Sequence, residues 1–441
     1  MEMSPFIYGF TGIGLSLILL ALGIHIMVVL GMVGFAGIIW ITGSFTPGLQ
    51  LLQSAPYFTS QLGSIVVIPL FVFMGFLTMY GEISTYALRS AQKWIGGQPG
   101  GLLLAVCWAC VGFGAVSGAS IAAATVFTKL ALPEMKKMGY DMKFASGGIA
   151  AASEIAMLIP PSILLIIYAM LASQSIARLL IGGIGPGLLL ALTFSIGIYV
   201  MAKRNPQLAP GMTVKVPLRG KIASLSDLWP IIIMIFVILG GIYSGVFTPN
   251  EAASAGTVVA FIFALARKSL TWQRLKDSLL ETVTISATLI IVLIGATIFS
   301  RFLALSGFTV GVAEVIAGLG LPSTAFIIFA MIIYFLLGLF IDPTSSMALT
   351  LPVFLPVIKT LGIDPIWFGL LCVTSLIIGG FTPPFGIVVF AVKAAATGLD
   401  ISTEDIFRGA LPFVIMALIC LAILVAFPEI STFLPSTIMS R

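Results

Sequence analysis

Residues 379–386 read GGFTPPFG, two adjacent prolines inside a stretch from Pro365 to Thr397 whose only charge is Lys393. A stretch that apolar is expected to cross a membrane as a helix. Yet each proline removes a backbone donor and clashes with the preceding turn, at roughly 3 kcal/mol in a helix interior. A second pair, Pro160 and Pro161 in LIPPSI (158–163), lies 223 residues before Pro383 and Pro384. The same offset relates Gly97 to Gly320, Pro99 to Pro322, Pro133 to Pro356, Gly139 to Gly362 and Asp141 to Asp364. These matches fall on residues that shape the backbone, where a shared fold keeps them, and they divide the chain into two related halves.

Composition sets the class. Of 441 residues 59% are hydrophobic and 8% charged, with mean hydropathy +1.19, whereas soluble domains carry about 25% charged residues. Apolar runs recur along the whole length, so residues 1–441 read as one integral, all-α polytopic membrane domain. The first twenty residues are apolar but lack a basic leader and a small-residue cleavage site, and read as a retained helix. The net charge of +5 reports basic loops and calls for no nucleic acid partner. Cys107 and Cys110 form a C-x-x-C, but with His25 the only histidine and Cys372 and Cys420 remote, they read as packing residues.

Spans are expected near 5–23, 26–43, 62–80, 144–172, 179–202, 228–248, 250–266, 282–303, 366–397 and 407–428. Segments 101–131 and 322–354 are long for one crossing and short for two, which fits re-entrant hairpins. Lys203, Arg204, Lys215, Arg219 and Lys221 fill one loop whose only acid is Asp227, and Arg267, Lys268, Arg274 and Lys276 another two spans on. Both are therefore cytoplasmic. Lys129, Lys136, Lys137 and Lys143 fall on the same side, with Arg89 and Lys93, so the first hairpin enters and leaves from the cytoplasm and the second from the opposite face. The result is an inverted-topology repeat with two re-entrant hairpins and two broken helices, a plan of secondary transporters. Residues 97–172 form the first unit and 320–397 the second; residues 1–90, 179–303 and 407–428 are expected to be mainly scaffold and connecting helices.

Interrupted helices at matching positions point to a binding site near the bilayer midplane, because irregular backbone is tolerated there only when buried or lining a cavity. In the first unit the tip is Gly112–Ser120, where glycines allow close approach and Ser117 and Ser120 offer neutral oxygens suited to sodium. Pro160 and Pro161 free carbonyls near Ala156 and Met157. In the second unit the tip is Gly338–Ser346, and Asp342 is a carboxylate in an apolar segment. It either stands near a cation or caps the turn at Thr344–Ser346. Glu154, six residues before Pro160, faces either the cavity or a polar partner. Protease, phosphate-loop and triad motifs are absent, so the reading is not an enzyme, and energy must come from an ion gradient or another subunit.

The motifs PLFVFMG (69–75), GAVSGASIA (114–122), PEMKKMGYD (133–141), LIPPSI (158–163), GVFTPNEAA (245–253) and GGFTPPFG (379–386), in this order, resemble the large membrane subunit of tripartite ATP-independent periplasmic (TRAP) transporters over nearly the whole chain. The chain departs from that family at Ala119, where a second serine is frequent, and at Ser153–Ala156, where a small glycine-containing run is usual. The resemblance implies sodium-coupled import of an organic acid anion by an elevator motion in the cytoplasmic (inner) membrane. The partners it implies are a small four-helix membrane subunit and a soluble periplasmic substrate-binding protein. It further implies one sodium site at Ser117, Gly118, Ser120, Pro160 and Pro161, and a second at Gly338, Asp342, Gly379, Thr382 and Pro383. Ser120, Ser162, Thr344 and Ser345 would face the substrate, and no organic cofactor is implied. A single-component sodium/anion transporter of related architecture is the alternative, with a channel further behind.

Overall fold

The computed structural model describes residues 5–211 and 217–438; Lys215, and the side chain of Asp227, lie outside what is described. Among the described residues every regular element is helical. Among the described residues six helices are long and apolar enough to cross a membrane, and Leu218–Leu225 with Trp229–Tyr243, bent by 50° at their junction, pass the same test only when taken together as one broken segment. The expected first hairpin consists of Gly101–Ser117 and Ser120–Lys137, and the second of Ser323–Phe340 and Pro343–Thr360. Arms of 17 or 18 residues rise about 26 Å, just short of the ~30 Å hydrocarbon core. The broken helices are Met142–Glu154 with Ile163–Leu171, and Pro365–Gly379 with Ile387–Ala395. Both Pro-Pro bonds, 160–161 and 383–384, are cis.

The repeat is visible in the local chemistry. Asp141 and Asp364 each cap a broken helix, Asp141 accepting from Phe144 N at 2.8 Å and Asp364 from Ile366 N at 2.7 Å. Gly139 and Gly362, just ahead of these caps, both take a left-handed φ, 78° and 66°, which a Cβ would disfavour. Each hairpin is tied at its base across 38 residues. Leu102 N donates to the Tyr140 hydroxyl at 3.1 Å, and the Ser323 hydroxyl donates to the Leu361 carbonyl at 3.2 Å.

Each hairpin packs on its own broken helix, and the two units then interlock. Ile387–Ala395 lies against the first hairpin's Ser120–Lys137, while Ile163–Leu171 lies against the second hairpin's Pro343–Thr360. The Tyr168 hydroxyl donates to the Pro365 carbonyl at 2.7 Å, joining one broken helix to the start of the other. Around them Ile26–Thr42 packs along the 34-residue helix Trp272–Leu305, and Gly63–Tyr80 against Pro249–Ala266. Thr403–Ala426, expected with the scaffold, runs along Met142–Glu154, where a Cβ on Gly147 would strike the Gly409 backbone.

Among the described residues five helices lie where no span was expected: Phe45–Ser60, Ile83–Ile95, Leu218–Leu225, Phe308–Gly318 and Glu429–Ser436. Phe45–Ser60 carries Gln50, Gln53 and Ser54, so no long apolar run marks it. Ile83–Ile95 is amphipathic, burying Ile83, Ala87 and Leu88 while Arg89 and Lys93 sit on the same helix, a pattern that hydropathy averages hide.

Candidate functional site

The first tip is made by Ser117, Gly118, Ala119 and Ser120. Gly118 ends the incoming arm with φ 62°, and Ala119 is extended, so the chain reverses in two residues. The tip sits directly on the first break: a Cβ on Gly118 would strike the Pro161 carbonyl oxygen, and one on Gly114 would lie 2.6 Å from the Ala156 Cα. From the other side a Cβ on Gly75, in the helix Val67–Tyr80, would lie 3.0 Å from the Ser117 carbonyl oxygen. Backbone therefore meets backbone at three contacts around one turn, and small residues are what allow it.

Ser117 and Ser120 are 4% and 1% exposed, and the Ser117 hydroxyl has no hydrogen-bond partner. A buried hydroxyl without a partner loses the hydrogen bonds it made to water, so this oxygen fits a bound cation. Pro160 and Pro161 are buried beside it. Ser162 is wholly buried and caps Ile163–Leu171 by accepting from Leu165 N at 3.3 Å; its hydroxyl donates to the Met157 carbonyl. One of the two carbonyls expected to open toward an ion is thus engaged from within the break.

At the second tip Asp342 is exposed and is the N-cap of Pro343–Thr360. It accepts from Ser345 N at 3.0 Å and from the Ser345 hydroxyl, while the Ser346 hydroxyl donates to the Asp342 carbonyl at 3.1 Å. Of the two roles open to Asp342 in the sequence, the cap is the one the structure displays. Ser345 is buried and Thr344 half-buried beside it. Gly338 presses on Gly379, a Cβ on Gly338 falling 3.2 Å from the Gly379 Cα. The Thr382 hydroxyl donates to the Ile378 carbonyl at 2.6 Å, closing the last turn before the break.

The two breaks differ in exposure. Pro160, Pro161 and Ser162 are buried, whereas Pro383 is half-buried and Pro384 and Phe385 are exposed. Phe385 meets Phe340 of the second tip, ring centroids 5.7 Å apart. The first break is buried under its tip, whereas the second, though Gly338 packs on Gly379, is open to the surface at Pro384 and Phe385.

Glu154 was visible in the sequence as a charge near a break, but its partners were not. It is 2% exposed at the end of Met142–Glu154, with Ser120 of the first tip beside it. Its Oε1 lies 2.9 Å from where a Cβ on Gly380 would stand, so it reaches the second break from the first. Its other oxygen, Oε2, has no hydrogen-bond partner. Gly75 and Gly380 could be found only as members of the motifs PLFVFMG and GGFTPPFG, since neither has a side chain to signal a role.

The sequence matches the family model described as "Tripartite ATP-independent periplasmic transporter, DctM component" over residues 13–430. It is 32% identical over 405 residues to the C4-dicarboxylate TRAP transporter large permease protein DctM of Pseudomonas aeruginosa, covering 91% of this chain and 93% of that one. Identity is also 32%, over 437 residues, to the ectoine/5-hydroxyectoine TRAP transporter large permease protein UehC of Ruegeria pomeroyi, covering 96% and 98%. Among solved structures, the YdaH transporter of Alcanivorax borkumensis superposes with TM-score 0.63 at 15% identity, over 87% of this chain and 89% of that one, a likeness of fold.

Proposed function

The chain belongs to the tripartite ATP-independent periplasmic transporter family as its DctM component, a multi-pass permease of the cytoplasmic membrane, and from that premise we propose that it imports an organic acid anion by coupling to sodium. The observation that carries the proposal is the pair of Pro-Pro breaks, each facing a hairpin tip, with an unpartnered buried oxygen on Ser117 at one of them. One sodium is held by Ser117, Gly118, Ser120 and the break at Pro160 and Pro161. A second is held by Gly338 and Asp342 of the second tip together with Gly379, Thr382 and Pro383 of the second break. The anion lies between the tips, near Ser120, Ser162, Thr344 and Ser345, and is attracted by bound sodium and by the positive N-terminal ends of broken helices.

The interlocked hairpins and broken helices move as one body against the helices that surround them, in elevator fashion. A soluble periplasmic binding protein delivers the substrate, and a small four-helix membrane subunit completes the permease. Relatives of equal identity are named for different cargoes, a C4-dicarboxylate in one and ectoine or 5-hydroxyectoine in the other. Overall identity therefore does not choose the substrate, and the delivering protein does most of the selecting.

The test is uptake into proteoliposomes, after the ligand of the binding protein has been identified by thermal-shift screening. Uptake is expected to require both an inward sodium gradient and that protein. Unchanged uptake with sodium replaced and the binding protein omitted would sink the proposal.

A further inference from the structure

We propose that Arg301 anchors an anionic phospholipid of the outer leaflet, its phosphate held by the guanidinium and its acyl chains lying in two apolar clefts that meet there. The site lies away from both tips and breaks. Its occupancy can be measured without transport, and only its consequence for motion rests on the transport reading above.

Arg301 stands four residues before the end of the 34-residue helix Trp272–Leu305. That helix begins beside the cytoplasmic Arg274 and Lys276. It rises about 51 Å, more than the ~40–45 Å of a bilayer with its headgroups, so its last turns fall at the level of the outer headgroups. Arg301 is exposed. Among the described residues the ion pairs are Lys143 with Asp405 and Arg408 with Glu404, and the guanidinium groups that donate hydrogen bonds are those of Arg274 and Arg408. The planar fork of N–H donors on Arg301 is therefore unused, and that fork matches a phosphate. An arginine on an apolar membrane helix is costly and calls for such a partner.

Two clefts open beside it. One, of about 530 Å³, lies between Phe45–Ser60 and the end of Trp272–Leu305; the other, of about 500 Å³, reaches from Trp272–Leu305 to Leu171 and Leu355. Phe58, Thr297, Arg301 and Ala304 line both. Each is in the range of about 300–1,000 Å³ usual for ligand sites. Hydrocarbon walls on two sides of one cation suit a two-chain amphiphile. A small organic acid would pair with Arg301 but leave Leu51 and Leu355 uncovered.

Charge selects the lipid class. Among the described residues neither cleft is lined by an aspartate or glutamate. The ammonium of a zwitterionic headgroup thus meets a cation and no anion, whereas phosphatidylglycerol keeps its negative charge and turns hydroxyls toward Gln50, Ser54 and Ser300. The second cleft joins Trp272–Leu305, one of the surrounding helices, to a broken helix at Leu171 and to the second hairpin at Leu355. Under the transport reading a lipid seated there lies between the static and the moving parts, so the composition of the outer leaflet bears on the rate of movement.

Native mass spectrometry of the purified full chain, alone and with its small membrane subunit, tests the site with added phosphatidylglycerol or phosphatidylcholine. The wild type should retain phosphatidylglycerol in preference. Arg301→Gln should weaken that binding about tenfold or more, the loss expected for hydrogen bonds to a charged group. Ala304→Trp, at an exposed position lining both clefts, should weaken it with Arg301 intact, and Arg178→Gln, an exposed arginine outside them, should not. Melting temperatures check that each variant folds, and if one of the two site variants does not, the other decides. Equal retention of the two lipids, or undiminished binding in Arg301→Gln or Ala304→Trp, overturns the proposal. Displacement of the lipid by inorganic phosphate or succinate would mark a site for soluble anions, and its loss on adding the small subunit would mark a subunit contact; either result overturns it as well.

Discussion

Gly338 of the second hairpin and Gly379 of the second broken helix meet backbone to backbone, so that a Cβ on Gly338 would fall 2.7 Å from the Leu376 carbonyl oxygen and 3.2 Å from the Gly379 Cα. Neither contact involves a flexible side chain that can move aside. Gly338→Ala must therefore part the tip from the break. Overpacking of this kind costs about 1–3 kcal/mol, and loss of the second tip's seating should reduce uptake several-fold. Gly318→Ala is the control, since a Cβ there meets nothing within 4 Å. Thermal unfolding in detergent and initial uptake rates for the pair test the claim, and equal behaviour would refute it.

Gly118 offers a stricter version of the same test at the first tip. Its φ of 62° alone costs a residue with a Cβ roughly 1–2 kcal/mol, and the Cβ would also strike the Pro161 carbonyl oxygen. Gly118→Ala should lower both the melting temperature and sodium-dependent uptake by more than Gly338→Ala does. If Gly118→Ala were as stable and active as wild type, the close docking of tip on break would be wrong.

These two glycines also mark what the sequence makes legible. Proline pairs, positive-φ glycines and capping aspartates are written in residue types with strong backbone preferences, so the repeat, the hairpins and the breaks could be located from spacing alone. Asp342 was ambiguous because capping a turn and attracting a cation ask for the same carboxylate; the direction of its oxygens toward Ser345 displays the cap. The reach of Glu154 to Gly380 joins residues far apart in the chain through a glycine with no side chain, and no local pattern encodes such a contact. Ile83–Ile95 escaped because an amphipathic helix beside a membrane domain averages to low hydropathy.

The cap at Asp342 separates stability from ion binding. Asparagine also caps helices well, whereas alanine loses about 1 kcal/mol at such a position. Asp342→Asn should therefore unfold near the wild-type temperature and Asp342→Ala below it. If the carboxylate also serves sodium, both variants should need more sodium for half-maximal uptake, while Glu429→Gln, an exposed acid at the start of Glu429–Ser436, should need no more than wild type. Equal sodium dependence in all three would remove Asp342 from the ion site and leave it as a cap.

The difference in exposure between the two breaks gives the last prediction. All four native cysteines are buried, so an introduced thiol can be followed against a low background. Phe385→Cys, at a position 54% exposed beside the second break, should react readily with a water-soluble maleimide, and Ser162→Cys, wholly buried at the first, should resist it. Because Ser162 caps Ile163–Leu171 and its hydroxyl holds the Met157 carbonyl, Ile163→Cys at the half-buried neighbouring position checks that protection is not lost through unfolding. Under the proposed cycle, sodium and substrate cover the exposed side of the second break, at Pro384 and Phe385, and labelling of Phe385→Cys should fall. Equal labelling at residues 385 and 162, in native membranes and without ligand, would mean that the two breaks are equally open and that their asymmetry plays no part in transport.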